Sequence, residues 1–393
     1  MMPSVADLKS ATLRLATNLR SWKTRRKIIV FESDDWGAIR MRDRATHRSL
    51  VKSGIPVDRW KYDSLDCLEN QDDLLELMAV LAQHGDSGHS CPKFTMNVVM
   101  GNPDFDAIRQ NDFLTFKHRN LWECYEHYHG DSLDTLWIEG ISTGLFKPQF
   151  HAREHLNSYL WLKDLRAGHE EARIGFEHEY YGMITQTSHS PQKNYLAAYW
   201  PTSKQHLEYI ETATLEGLSM FENFFGERAS TLVPCNYVWP MELERTLSEG
   251  GVKHLQGQRG QVCPVKSRAW SAKRIGRFTG QSNNLEQTYG VRNVLFEPFS
   301  SPDRDWCGIA MAQIEQAFRY RTPAIISTHR VNYCSGVTKR VRDQSLRQLS
   351  CLLDLIKASW PNVEFLSSDE LARDIVRGQA DPTSVYPSRS SWQ

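Results

Sequence analysis

The feature that most restricts this chain is an alternation of short β-branched apolar runs with helical stretches, repeated from Lys27 almost to the C-terminal end. The run KIIVFES (Lys27–Ser33) comes first, and FTMNVVM (Phe94–Met100), stopped by Gly101-Asn102-Pro103, comes second. Helical spacing over Leu65–His84 puts Leu74, Leu77, Met78 and Leu81 on one face, with Gly85 ending the run. Ser203–Phe225 repeats the pattern with Leu207, Ile210, Leu215, Leu218 and Phe221. Further strands are expected at Thr231–Cys235, Val252–Gln256, Val294–Pro298, Pro323–Thr328 and Val363–Leu366. Helices are expected at Met241–Gly250, Gly308–Tyr320, Arg340–Trp360 and Asp369–Arg377. Strands that must be buried, separated by amphipathic helices, predict a parallel sheet or a (β/α) barrel.

The 393 residues suit one elaborated domain or two modest ones, and one decorated domain over 27–377 is the preferred division. Segments near 42–64, 103–145, 157–200 and 257–290 are rich in His, Gly, Asn, Ser and aromatics and read as insertions. The residues 378–393 read as a loosely attached arm. A hydrophobic share of 40% with 24% charged residues excludes wholesale disorder. Basic and acidic residues balance at 47 each, which argues against a general nucleic-acid binder. The 12 Trp, 14 Tyr and 16 Phe suit flat faces offered to a ligand such as a sugar.

Eight cysteines without a CxxC pair fit a reducing compartment. No apolar stretch approaches bilayer length, and the start has no secretory h-region, so a cytoplasmic protein is expected. Residues 1–26 read as a helix with Leu8, Thr12, Leu15, Leu19 and Trp22 on one face and a basic surround. That helix is expected to cap the body of the protein. Its basic surround also suits peripheral contact of residues 5–27 with the inner face of an anionic membrane.

Three places carry chemistry. Asp34 and Asp35 sit where the first strand stops, and functional groups of parallel α/β folds gather at carboxyl strand ends. Adjacent carboxylates repel, so a partly buried pair calls for a cation. His151 and His155, spaced i to i+4, face the same way on a helical turn and can share a metal ion. The strand Pro323–Thr328 runs straight into His329, which puts its imidazole on the rim with the two aspartates. His127, His129 and His178 lack a matching partner and read as surface or loop residues.

The order of these signals resembles the polysaccharide deacetylase superfamily, carbohydrate esterase family 4, whose NodB-homology fold is a distorted (β/α) barrel. Its T/S-F-D-D-G motif resembles Glu32–Gly37, with Trp36 interposed before the glycine. Its H-S/T-x-x-H motif matches His151–His155 in spacing, and its L-x-H motif matches Ser327-Thr328-His329 in place. Its R-x-P-Y/F motif aligns with Leu232–Cys235 without the arginine, for which Arg228 would have to fold back. Its D-x-x-D-W motif is reduced to Asp303-Arg304-Asp305-Trp306.

By this resemblance Asp35, His151 and His155 would hold a divalent metal, most simply Zn²⁺, with Co²⁺, Mn²⁺ or Ni²⁺ accepted by the same donors. Asp34 would be the general base and His329 the general acid. A backbone N–H at or near Cys235 would meet the oxyanion, and Trp36, Tyr237, Trp239 and Trp306 would line the sugar site. The implied activity is removal of an acyl group, most simply N-acetyl, from a carbohydrate. An intracellular nucleotide-linked or lipid-linked precursor of a surface polysaccharide is the expected substrate. Two alternatives stand beside it. One is a non-catalytic carbohydrate-binding relative. The other is a zinc peptidase of the H-x-x-E-H kind with Glu154 as base, which needs a long helix around the motif.

Overall fold

Strands paired in the main sheet of this chain lie parallel, because the segments joining them are long enough to cross back over the sheet. The computed structural model describes residues 5–85, 91–186, 188–266 and 271–380, with side chains from 12 to 378 within those ranges. In chain order the strands are β1 (Lys27–Trp36), β2 (Phe94–Val99), β3 (Gly101–Pro103), β4 (His118–Asn120), β5 (Phe146–Ala152), β6 (Thr231–Leu232) and β7 (His254–Gly257). They continue as β8 (Gly260–Val265), β9 (Ser271–Gly276), β10 (Thr288–Val291), β11 (Val294–Leu295), β12 (Ala324–His329) and β13 (Val363–Phe365). One parallel sheet runs β10-β7-β6-β5-β2-β1-β12-β11, and β13 also pairs with the start of β1. β3 with β4 and β8 with β9 form separate antiparallel pairs.

The curl of the sheet follows from its connectivity. Its two edge strands, β10 and β11, are consecutive in the chain, joined only by Arg292 and Asn293. Three residue steps from Val291 to Val294 span at most about 11 Å, so the edges must come round to meet. The linker ties both sides: Arg292 N–H donates to Gly257 O on β7, and Asn293 N–H donates to Ile325 O on β12. The fold is therefore a distorted (β/α) barrel with a seam between β10 and β11. Its main apolar cluster has Phe31 stacked on Phe94 at 5.0 Å and Trp36 and Trp137 edge to face, and three smaller clusters lie apart from it among the described residues.

The segments read as insertions carry regular elements of their own. Short helices fill 42–64 and 103–145 (Arg44–Lys52, Lys61–Leu65, Phe105–Gln110, Leu121–His129, Asp134–Ser142), and two more, Ser158–Arg166 and Glu170–Glu177, follow β5. Two turns of helix offer too few apolar positions to register as a period, and end signals carry the information instead. Asn120 and Glu123, for example, cap each other's backbone reciprocally. The segment 257–290 contributes β10, a strand of the main sheet. The helix expected from Leu65 starts at Gln71, where Asn70 and Asp73 form the same kind of cap.

The N-terminal helix spans Val5–Arg20. Trp22 just beyond it is buried among Ile28, Val30, Ile325, Leu366, Leu371 and Ile375, and its backbone N–H donates to Thr279 O. Leu19, expected on the buried face, is instead 57% exposed. Arg26 pairs with Glu364 and Asp374. No described helix is long and apolar enough to cross a membrane. Of the expected C-terminal arm, residues 381–393 lie outside the described residues, and 378–380 end the helix Ser368–Ala380.

Candidate active site

Successive strand residues point to opposite faces, so two adjacent aspartates cannot both enter a site from a regular strand. β1 breaks its own regularity. Its register with β2 shifts between Ser33 and Trp36, and Asp35 takes φ +74. Aspartate tolerates that left-handed conformation better than most residues. Both carboxylates consequently line one cavity of about 670 Å³. Gly37, at φ +78, closes the turn where a Cβ would meet Val99 O at 2.7 Å.

His151 lies near the end of β5, and His155 follows in the loop after it, not on a helical turn as the spacing suggested. The loop folds back so that both Nε2 atoms face Asp35 Oδ1, at 3.4 Å and 3.3 Å. That oxygen is buried and has no hydrogen-bond partner. His151 Nδ1 lies 2.6 Å from Val233 O, which makes Nδ1 a donor and turns Nε2 toward Asp35. Burial and the nearby Arg40 hold the His155 imidazole well below its ordinary pKa, hence neutral. Donor atoms at the corners of a tetrahedron with bonds of about 2.0–2.1 Å stand about 3.3–3.4 Å apart, and each imidazole nitrogen keeps that separation from Asp35 Oδ1. His151, His155 and Cys235 likewise offer one ligand atom each within 4.8 Å of one another. Burial pushes the Cys235 thiol up, which keeps it protonated beside the imidazoles.

Parallel register sets Asp34 directly opposite His329. Asp34 is gripped by Arg292, with Nη1 at 2.5 Å and Nη2 at 2.7 Å, and accepts from Asn97 Nδ2 at 2.8 Å. Burial alone would raise this carboxyl, but Arg292 outweighs it and holds the group below its usual range. His329 Nε2 stands 3.6 Å from Asp34 Oδ2, while its Nδ1 meets Glu297 Oε1 at 2.5 Å. Burial opposes the charged ring, yet Glu297, with Asp34 and Asp35, raises His329 to about 9. Asn332 Nδ2 donates to the other Glu297 oxygen at 2.7 Å and fixes that carboxylate.

Several functional positions depart from expectation. No arginine stands two residues before Pro234; the guanidinium that grips Asp34 comes from Arg292 at the seam, whereas Arg228 is exposed and paired with Glu222. Arg40 stands 3.6 Å from Asp35, and Tyr62 packs edge-on against His329 with its buried hydroxyl unpartnered. Both line the cavity, as do Trp60, 58% exposed, and Tyr237. The other proposed platforms do not. Trp36, Trp239 and Trp306 are core residues whose indole N–H groups donate to Ser33, Glu244 and Ser301. An aromatic at a motif position fills the core whenever its ring falls on the inner side of the layer, and periodicity cannot tell the two sides apart in a turn. Glu154 is engaged by Arg153 and Ser158, and residues 153–157 are not helical, so the arrangement a zinc peptidase of that signature needs is absent here. His129 bonds Glu69 O and His178 bonds Ser49.

No family model matches the chain, and no curated protein matches it. Solved structures do. One described as a polysaccharide deacetylase from Mycobacterium smegmatis aligns at 10% identity and TM-score 0.47, covering 94% of this chain and 96% of that one. Another so described, from Pseudomonas aeruginosa, aligns at 10% identity and TM-score 0.44, covering 90% and 92%. A glycoside hydrolase/deacetylase structure from Parabacteroides distasonis aligns at 11% identity and TM-score 0.48, covering 95% and 74%.

Proposed function

We propose that this protein is a metal-dependent hydrolase that removes an acyl group, most simply N-acetyl, from a carbohydrate. The observation that carries the reading is the buried, unpartnered Asp35 Oδ1 with two imidazole nitrogens aimed at it. Asp35, His151 and His155 would hold the ion, Zn²⁺ being the simplest choice. When bound, it supplies Lewis-acid polarisation of the acyl carbonyl and acidification of water. Asp34, kept ionised by Arg292, accepts the proton of the attacking water. His329, kept protonated by Glu297, gives its Nε2 proton to the departing amine, which is a poor leaving group until protonated. A backbone N–H at or near Cys235 is the proposed oxyanion donor. The cavity falls within the usual size of small-molecule sites, which supports a reacting portion of one or a few sugar rings. An intracellular sugar precursor of surface polysaccharide is the finer proposal.

The test is acetate release from N-acetylated sugars and their nucleotide-linked forms by zinc-loaded protein. Parallel elemental analysis of His151→Ala/His155→Ala should show loss of the ion bound between those residues. Loaded wild-type protein that retains the ion and releases no acid from any of these sugars would sink the reading.

A further inference from the structure

A second cluster of metal-binding residue types lies outside the residues that line the cavity, with Asp164 buried and His189 exposed. Asp164, on the helix Ser158–Arg166, is fully buried. Its Oδ2 accepts from the Tyr195 hydroxyl at 2.7 Å and from the His189 N–H at 3.0 Å, and its Oδ1 contacts His189 Nδ1. His169, at the N-cap of Glu170–Glu177, does not use its side chain as a cap. Its Nδ1 instead faces the same Oδ1 at 3.9 Å, beyond hydrogen-bond reach, and is buried without a partner. The His169 and His189 rings stand 5.0 Å apart, and the three residues offer one ligand atom each within 4.8 Å of one another.

The bond between His189 and Asp164 accounts for His189 alone. It leaves His169 unexplained, since a buried polar atom without a partner costs about 1–3 kcal/mol. One carboxylate and two imidazoles are a zinc-type donor set, and an ion between them would satisfy His169 Nδ1. We infer that Asp164, His169 and His189 form a second divalent-metal site with a structural role, which ties the described residues of 180–196 to the helices Ser158–Arg166 and Glu170–Glu177. That segment gives Tyr180, Gly182, Ile184, Asn194 and Leu196 to the cavity wall, so the anchor sets the shape of one side of the cavity. The inference does not rest on the proposed hydrolase activity.

The test strips full-length protein with a chelator, titrates it with Zn²⁺ alone, and measures zinc retained after gel filtration. Wild type should retain about two equivalents, His169→Ala about one, and His151→Ala/His155→Ala about one. His169→Ala leaves every hydrogen bond of Asp164 in place, and His169→Gln serves as a second variant should it fold poorly. Limited proteolysis gives an independent readout: zinc removal should speed cleavage within 180–196 in wild type and in His151→Ala/His155→Ala. Cleavage in His169→Ala should be fast with or without zinc. Wild-type zinc content in His169→Ala and His169→Gln would overturn the inference, as would cleavage of wild type that ignores zinc. Failure of the rim site would show separately, as unchanged zinc content in His151→Ala/His155→Ala.

Discussion

At the scale of single residues, the site depends on how two charges are held. His329 titrates at about 9 because Glu297 faces one ring nitrogen and Asp34 the other. A proton donor with that value is present below pH 9 and lost above it, so kcat/KM should fall on an alkaline limb near 9. Glu297→Gln should move that limb down toward the ordinary histidine value of about 6.5. The linked stability has the same sign. His329 contributes fully below its unfolded pKa of about 6.5, and its contribution is lost as pH rises through about 9. Alkaline thermal melts of wild type and Glu297→Gln read it directly. Asp34 behaves oppositely. Arg292→Met should raise its pKa, shift the acid limb of the pH profile upward, and leave Glu32 and Asp34 buried without their cation. Losing one side of such a buried pair costs about 3–5 kcal/mol, measurable by denaturant unfolding. The residues proposed to do chemistry stood out in the chain because Asp34-Asp35 and His151–His155 are close in sequence and His329 ends a strand. Glu297 and Arg292 carried no such signal. Each is one charged residue near the end of a short strand, and only the fold says which carboxylate or imidazole it will meet.

At the scale of elements, the turn after β1 is the most exacting piece. Gly37→Ala would force a side chain into φ +78 and against Val99 O, with Leu121 Cδ1 only 2.5 Å away. Loss of more than about 1 kcal/mol is expected, seen as a lowered Tm, together with displacement of Asp35 and weaker zinc binding. The long helices Lys204–Phe225 and Lys339–Ser359 fell where helical spacing put them, within a residue or two. β6 and β11, of two residues each, were shorter than the runs that announced them. A strand in this barrel ends where its neighbour's hydrogen bonds end, and the apolar run continues into turns that are equally buried. β10 had the reverse fate. Thr288–Val291 is too polar and brief to stand out, and its strand character comes from pairing with β7.

At the scale of the whole molecule, the N-terminal segment belongs to the body of the protein at least from Trp22 onward. Trp22→Ala should cost about 3–5 kcal/mol by opening the cluster with Ile28, Ile325 and Leu371, and a denaturant midpoint near wild type would contradict that docking. By itself the sequence determined the layer pattern and singled out Asp34, Asp35, His151, His155 and His329, which line one cavity. Hydrophobic period and strand-end position are local properties of a chain. The seam at Arg292-Asn293, the removal of Trp36, Trp239 and Trp306 from the cavity, and the pairing of Asp34 with Arg292 and of His329 with Glu297 were decided only by the tertiary structure. A buried charge needs a partner wherever the fold can bring one, and here the partners stand 258 and 32 residues away along the chain.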